Sequence, residues 1–333
     1  MTRAFFAPGR VNLIGEHTDY SGGLVLPAAL ELGARLEGEA ADRIRLESAE
    51  RDGVVDLDPR GEPGEGWGRF AGAVAAELDA LGRPPVGFAG RVSSNVPVGA
   101  GLSSSAALEV VIGAALCAVA DFPIEPMALA QAAQRAEHRA VGVPCGIMDQ
   151  SASVLGKADH AILLDTGTLE HRAVPLPSEL ALVIVDSGVR HVLADSGYAQ
   201  RRQELERALA AEGELEPLLA RRLRHVRTEN ERVRQVVAAL EAGDTGALGP
   251  LFRAGHDSLR DDYEVSTPEL DLLVDRAYAA GAVAARMTGG GFGGSIVVLA
   301  ERDRAQALAV EIASAVEGAS GFVTRAGDGV REL

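Results

Sequence analysis

The stretch over residues 96–109, V-P-V-G-A-G-L-S-S-S-A-A-L-E, constrains this chain more than any other. Pro97 ends whatever precedes it, because proline donates no N–H and fixes φ. Gly99 and Gly101 permit positive φ and let an anion come close to the backbone. Ser103, Ser104 and Ser105 follow, and then an apolar run over residues 106–119 that reads as a helix. A glycine loop, a hydroxyl cluster and a helix N-terminus together make an anion site. The unpaired N–H groups of the first turn and the helix dipole both favour a phosphate there. The Walker pattern needs a lysine after its last glycine, and the sole lysine here is Lys157, far along the chain. Phosphate in this loop would therefore rest on backbone N–H groups, hydroxyls and a metal ion. The plainer alternative is a glycine turn whose serine caps a core helix. Two glycines, three serines and a buried helix in one place favour the anion site.

At 333 residues the chain has room for two domains. Its formal charge of −16 argues against nucleic-acid binding, which leaves a basic footprint, and leaves any polyanion to local arginines. No apolar run is long enough to span a bilayer. The opening residues reach Pro8-Gly9-Arg10 too soon to form a signal peptide, so the cytoplasm is the expected compartment. There, Cys117 and Cys145 are expected to be two thiols rather than a disulfide.

Residues 5–7 read as a short strand closed by Pro8-Gly9. Residues 9–20, G-R-V-N-L-I-G-E-H-T-D-Y, then crowd Arg10, Glu16, His17, Asp19 and Tyr20 around Gly15. That is a poor core strand and a poor solvated face, and it suits a polar pocket at the end of a strand. Further strands are predicted over 34–39, 43–47, 86–92, 161–164 and 180–185, and helices over 70–81 and 127–141. Asp149, just after the glycine turn 142–146, either projects into a cleft or caps a helix beginning at Gln150. A domain boundary is expected around Pro175 and Pro177. In the second half, Leu219, Leu223, Val226, Val233, Val237 and Leu240 form one helical stripe, interrupted by Asn230 and expected to pack on its own domain. Residues 257–266 read as a polar patch around Tyr263. Five glycines in T-G-G-G-F-G-G, residues 288–294, imply close approach by backbone or ligand between strands at 282–287 and 295–299. A helix over 302–316 closes the chain.

Two glycine loops, a carboxylate after a glycine turn and a polar cluster near the N-terminus suggest phosphoryl transfer to a small polar acceptor. That chemistry needs in-line positioning, charge neutralisation on the phosphates and a group to orient or deprotonate the acceptor hydroxyl.

Together, G-R-V-N-L-I-G-E-H-T-D-Y, P-V-G-A-G-L-S-S-S-A, P-C-G-I-M-D-Q, R-D-D-Y-E-V-S and M-T-G-G-G-F-G-G resemble the motif set of the galactokinase family, in the GHMP kinase superfamily. They run in that family's order from Gly9 to Gly294. The resemblance implies an α+β, two-domain fold with the active site in the cleft between the domains. An N-terminal mixed-sheet domain would span residues 1–176 and a C-terminal ferredoxin-like domain 177–333, its last residues packing back on the first. It implies ATP-dependent phosphorylation of α-D-galactose at the anomeric C1 hydroxyl. Carried over residue by residue, Gly99, Ala100, Gly101, Leu102, Ser103, Ser104 and Ser105 would wrap the ATP phosphates. Ser105 and Glu137 would ligate Mg²⁺, a hard cation that prefers oxygen. Glu16, His17, Asp19, Gly146, Asp149 and Tyr263 would hold the sugar; Asp149 would be the base and Arg10 would stabilise the transition state. A carboxylate holding the axial 4-hydroxyl would be left unpaired by glucose, so discrimination could be large. The implied partners are galactose and ATP, with no nucleic acid or membrane; the oligomeric state stays open, with a monomer as the default. Two alternatives stand beside this: a sugar 1-kinase acting on N-acetylgalactosamine or arabinose, and a non-catalytic sugar sensor of the same family. The complete Ser103-Ser104-Ser105-Ala106 run and the presence of Asp149 favour an enzyme.

Overall fold

The structure is a computed structural model and describes residues 1–142, 144–189 and 197–333. In the N-terminal half the order is β1 (Arg3–Asn12), β2 (Leu24–Val25), β3 (Pro27–Ala41), β4 (Ile44–Ser48), β5 (Val54–Leu57), α1 (Gly68–Ala80) and β6 (Gly87–Ser94). Then come α2 (Ser104–Val119), α3 (Pro126–Val141), α4 (Met148–Leu155), β7 (His160–Asp165) and β8 (His171–Pro175). Pro8-Gly9 does not close the first strand as expected. The chain pairs on through it, and the register with β3 slips between Pro8 and Arg10. A bulge at this point accommodates the proline, which has no N–H to give the ladder. Gly9 is needed for a second reason: a β-carbon there would lie 2.6 Å from the carbonyl oxygen of Leu102. The phosphate loop is therefore seated directly on β1.

Among the described residues, the first sheet runs β13-β1-β3-β6-β4-β5, where β13 (Arg331–Glu332) comes from the chain's end. It is mixed: β4 and β6 run parallel and the other pairs antiparallel. Helices α1, α2 and α3 cover one face, burying Phe5, Leu36, Phe88, Val110, Leu116 and Leu129. α2 is apolar nearly all round, as a helix enclosed by other elements must be. Its one charged residue, Glu109, is fully buried. A smaller sheet, β2-β7-β8, includes a strand that the sequence did not announce, because β8 is short and mostly exposed.

The C-terminal half runs β9 (Leu180–Asp186), α5 (Gly197–Ala210), α6 (Pro217–Ala242), α7 (Leu248–Ser258), α8 (Pro268–Ala279), β10 (Ala284–Thr288), β11 (Ser295–Glu301), α9 (Ala305–Ala313) and β12 (Ser320–Thr324). Its antiparallel sheet has the order β12-β9-β11-β10. Counted within this half, that is 4-1-3-2, the ferredoxin-like arrangement of a split βαβ. Residues 257–266 are not an open polar patch. α7 continues into a π-helical turn, Leu259–Tyr263, closed by Glu264 at φ 58°. The stripe on α6 packs on its own half only in part: Leu219, Leu223 and Val226 do so, whereas Val233, Val237 and Leu240 join a core that includes Val11, Leu13 and Leu26, and the Asn230 side-chain oxygen accepts the Leu24 N–H at 2.6 Å. The two large sheets are stitched where Thr288 Oγ1 accepts the Asn12 N–H and donates to the Asn12 carbonyl, both at 2.9 Å.

Candidate active site

One cleft lies where β1, the two glycine loops, the end of α3 and the start of α4 converge. Its first wall forms where the chain leaves β1. Gly15 turns at φ 109°, and a side chain there would strike the Leu24 carbonyl at 2.5 Å. His17 follows at φ 63°. Left-handed backbone at a non-glycine residue is held only when its surroundings insist on it. Here both imidazole nitrogens are engaged: Nδ1 lies 2.9 Å from the Tyr20 hydroxyl and Nε2 3.1 Å from the Gly290 carbonyl. Burial, with His225 nearby, lowers the pKa of His17 to about 3, so the ring is neutral. Since a carbonyl can only accept, the proton sits on Nε2, and Nδ1 accepts from Tyr20.

Glu16 is 1% exposed, and Arg286 Nη2 donates to its Oε2 at 2.7 Å and to Glu229 Oε1 at 2.6 Å. Burial pushes Glu16 above the usual carboxylate range despite Arg286. Burial also acts on Glu229, but Arg286, His225 and Arg232 overcome it and hold that group below the range. Asp19 is raised to about 7 by burial and by the nearby Asp149 carboxylate. Gly146 explains itself against Asp19: a β-carbon there would sit 1.8 Å from Asp19 Oδ2.

Asp149 is the meeting point of the walls. Arg10 grips it with two parallel bonds, Nε to Oδ1 at 2.7 Å and Nη2 to Oδ2 at 2.8 Å. Such a bidentate, charge-assisted pair fixes orientation as well as charge. Arg10 also donates through Nη1 to the Gly101 carbonyl and through its backbone N–H to the Leu102 carbonyl, so it ties Asp149 to the phosphate loop. Asp149 stands in the first turn of α4 but caps nothing, which removes the cap reading.

The loop itself turns through Gly99 (φ 76°), Gly101 (φ 75°) and Ser103 (φ 58°) into the N-terminus of α2. Ser103 does not cap α2, as the plainer reading required; its hydroxyl donates to Asp149 instead. Ala100, unlike its neighbours Gly99 and Gly101, lies outside the cleft wall. It is fully buried, with its carbonyl taken by Ser295 Oγ. Gly99, Gly101, Leu102, Ser103, Ser104 and Ser105 do line the cleft. Ser105 Oγ donates to Glu137 Oε1 at 2.7 Å. Among the described residues no group of three or more His, Cys, Asp and Glu gathers as a metal cage. Two oxygen donors beside a phosphate loop suit a hard cation that completes its shell with phosphate and water.

Tyr263, expected to hold the sugar, does not reach the cleft. It is fully buried and absent from the cleft wall; its hydroxyl lies 2.8 Å from that of Tyr20, and its ring packs 4.7 Å from those of both His17 and His225. The tyrosine that does line the cleft is Tyr198, at the start of α5, its ring centroid 5.5 Å from His17. Sequence reading missed Tyr198, since an aromatic at a polar helix start carries no periodic signal. The loop 288–294 completes the wall, with Phe292 at φ 57° among its glycines.

The sequence matches the galactokinase galactose-binding signature over residues 2–38, the GHMP kinases N terminal domain over 69–157 and the GHMP kinases C terminal over 236–318. The galactokinase of Roseiflexus sp. (strain RS-1) is 41% identical over 97% of this chain and 91% of its own length. The chain belongs to the galactokinase family. The galactokinase of Streptomyces coelicolor is 44% identical over 94% of this chain and 88% of its own. The Lactococcus lactis galactokinase solved with galactose superposes with a TM-score of 0.93 at 32% identity, covering 100% of this chain and 95% of that one. Methanococcus jannaschii mevalonate kinase, at 20% identity and a TM-score of 0.73 over 98% of both chains, shares the fold. The two-domain α+β architecture expected of a galactokinase is therefore present. No helix among the described residues is long and apolar enough to cross a membrane.

Proposed function

We propose that this chain transfers the γ-phosphoryl group of ATP to the C1 hydroxyl of α-D-galactose, giving α-D-galactose 1-phosphate and ADP in galactose catabolism by the Leloir pathway. The observation that carries this reading is the placement of Asp149. It is clamped by Arg10, bonded to the phosphate loop through Ser103, and shares the cleft with Glu16 and Asp19. Backbone N–H groups at the start of α2 hold the phosphates. Asp149 orients the C1 hydroxyl and takes its proton as the bond to phosphorus forms, and Arg10 holds that carboxylate while adding positive charge beside the transferring group. Ser105 and Glu137 are the residues that would hold Mg²⁺, which when bound neutralises charge on the phosphate oxygens.

At the sugar end, Glu16, Asp19 and Tyr198 supply polar groups, Gly146 leaves room for Asp19, and His17 lines the wall. Any bond from His17 to the sugar replaces one of its two present partners. Tyr198→Phe is therefore expected to raise the galactose KM about three- to tenfold with kcat little changed, the range of one neutral hydrogen bond. Tyr263→Phe, one layer back, should leave that KM within about twofold. Steady-state kinetics with galactose varied separates them, and the reverse ranking would return Tyr263 to the sugar.

An ADP-coupled assay over galactose, N-acetylgalactosamine, arabinose and glucose tests the function itself. Galactose is expected to be the preferred acceptor and glucose a poor one. Turnover of N-acetylgalactosamine without galactose would sink the assignment, and sugar binding without turnover of any sugar would point to a sensor. The same reading puts the protein in the cytoplasm, with a monomer as its default state. It also divides the chain at residues 176/177, where it passes from the β7-β8 sheet to β9.

A further inference from the structure

We propose that Arg286 on β10 and Glu229 on α6 are positioning residues for the sugar subsite, locking one oxygen of Glu16 so that only Oε1 is left to accept a single sugar hydroxyl. The inference rests on the reading that a hexose occupies this cleft.

Neither Arg286 nor Glu229 lines the cleft, and both are fully buried. Their hold on residues 15–16 is nevertheless complete. Glu229 Oε1 accepts the Gly15 N–H at 2.9 Å, His225 Nε2 lies 3.1 Å from the Glu16 carbonyl, and Arg286 binds Glu16 Oε2. Glu229 is itself secured from behind by Arg232 Nε at 2.9 Å. The backbone on both sides of the Glu16 side chain, and one of its two oxygens, are thus fixed by the C-terminal half. The other oxygen, Oε1, is buried and makes no well-formed hydrogen bond: the Asn12 side chain lies beside the carboxyl, its amide nitrogen likewise unpartnered, and Glu16 belongs to the cleft wall. A buried acceptor left unmade is expensive, and a ligand hydroxyl is what would satisfy it.

Helix α7 yields room for this arrangement. A β-carbon on Gly255 would lie 2.5 Å from Arg286 Nη1, so a glycine stands where the guanidinium passes. A buried ion cluster is a poor device for stability alone, since apolar residues of similar volume often serve as well or better. A cluster with one member opening into a cleft has another use. With Oε2 locked, a hydroxyl can approach Glu16 from one direction only, which turns a carboxylate with several acceptor sites into a selector for one ring position.

The test compares the wild-type protein with Glu229→Gln and with the double variant Glu229→Met/Arg286→Met, which removes both charges together. Kinetics for galactose and for ATP are measured beside equilibrium binding of galactose and of each monodeoxygalactose. In the wild type, loss of the hydroxyl facing Glu16 should weaken binding about tenfold or more. In the double variant the galactose KM should rise by about tenfold, with kcat and the ATP KM within about threefold, and the penalty for that one deoxy position should disappear. Glu229→Gln should show the same pattern in weaker form, and it decides the matter if the double variant does not fold. A galactose KM and a deoxy pattern unchanged from wild type would overturn the proposal, whatever happens to the melting temperature. Should the wild type itself bind no hexose, the reading of the cleft falls, and this inference with it.

Discussion

Asp149→Asn is expected to lower kcat by about a thousandfold while leaving galactose binding within about threefold, the loss typical of removing a general base. The asparagine side chain has the same shape but cannot accept a proton, and it presents an NH₂ group where Arg10 now meets a second carboxylate oxygen. The two parallel bonds become one, so the guanidinium loses its fixed orientation. The damage reaches the phosphate loop, because the same guanidinium donates to the Gly101 carbonyl and Ser103 donates to Asp149. The sugar cluster should be less affected, since Glu16 and Gly15 are held by Arg286 and Glu229 from the opposite side. A second signature follows from charge. Asp149 is one of the groups that raise Asp19, so its neutralisation should lower the Asp19 pKa from its present value of about 7. The ADP-coupled assay, isothermal titration with galactose and the pH dependence of that binding check the three parts. Turnover close to wild type would remove Asp149 from the chemistry.

Much of this site was legible because each of its motifs contradicts the ordinary use of its residues. Arg10, Glu16, His17 and Asp19 crowd a short segment beside Val11 and Ile14, and no core strand or solvated surface has a use for that mixture. The glycines at 99 and 101 and the run of serines carry local backbone instructions, which sequence expresses well. What was illegible depends on contacts between distant segments. Tyr263 looked as polar as Tyr198, and only the fold decides that one faces the cleft while the other is buried against His17 and His225. Arg286 sits inside a strand with five consecutive buried positions. Its meaning comes from Glu16 and Glu229, 270 and 57 residues away along the chain. Pro8-Gly9 misled in the other direction: a turn signal became a bulge because β3 continues alongside and tertiary pairing overrode the local preference.

Fold elements followed the same division. α6 is legible because three- and four-residue spacing survives whatever lies opposite, but what its stripe packs on is not: its C-terminal part joins a core shared with the N-terminal half. The strands β8 and β12 escaped, being short and half exposed, with little alternation to detect. The π-helical turn Leu259–Tyr263 was hidden by its own composition. Asp261 and Asp262 suggest a loop, yet Arg260 pairs with Asp261 and Arg224 with Asp262, which makes acidic residues tolerable in a helical segment.

Arg286→Met is expected to destabilise the fold by about 3–5 kcal/mol, because it leaves Glu16 and Glu229 buried together without their shared cation. That corresponds to roughly 4–7 °C in melting temperature for a chain of this size. The pH dependence should change as well as the magnitude. In the wild type Glu229 titrates below its ordinary value of 4.5, so its contribution is present above that value and is lost as pH falls through the depressed one. Glu16 titrates above 4.5, so its contribution is complete below 4.5 and is lost as pH rises through the raised value. The two groups therefore oppose each other, and stability falls away on both sides of mildly acidic pH. Without Arg286, Glu16 prefers its proton more strongly in the folded state, while Glu229 keeps only Arg232, His225 and the Gly15 N–H to favour its charge. The acid-side loss due to Glu229 weakens, and the loss on raising pH steepens. Urea midpoints at pH 5 and pH 8 read this directly: the variant should recover part of its deficit at pH 5 and show the full deficit at pH 8. An equal deficit at both values would mean that the guanidinium's packing volume, rather than its charge, holds Glu16 and Glu229 in place.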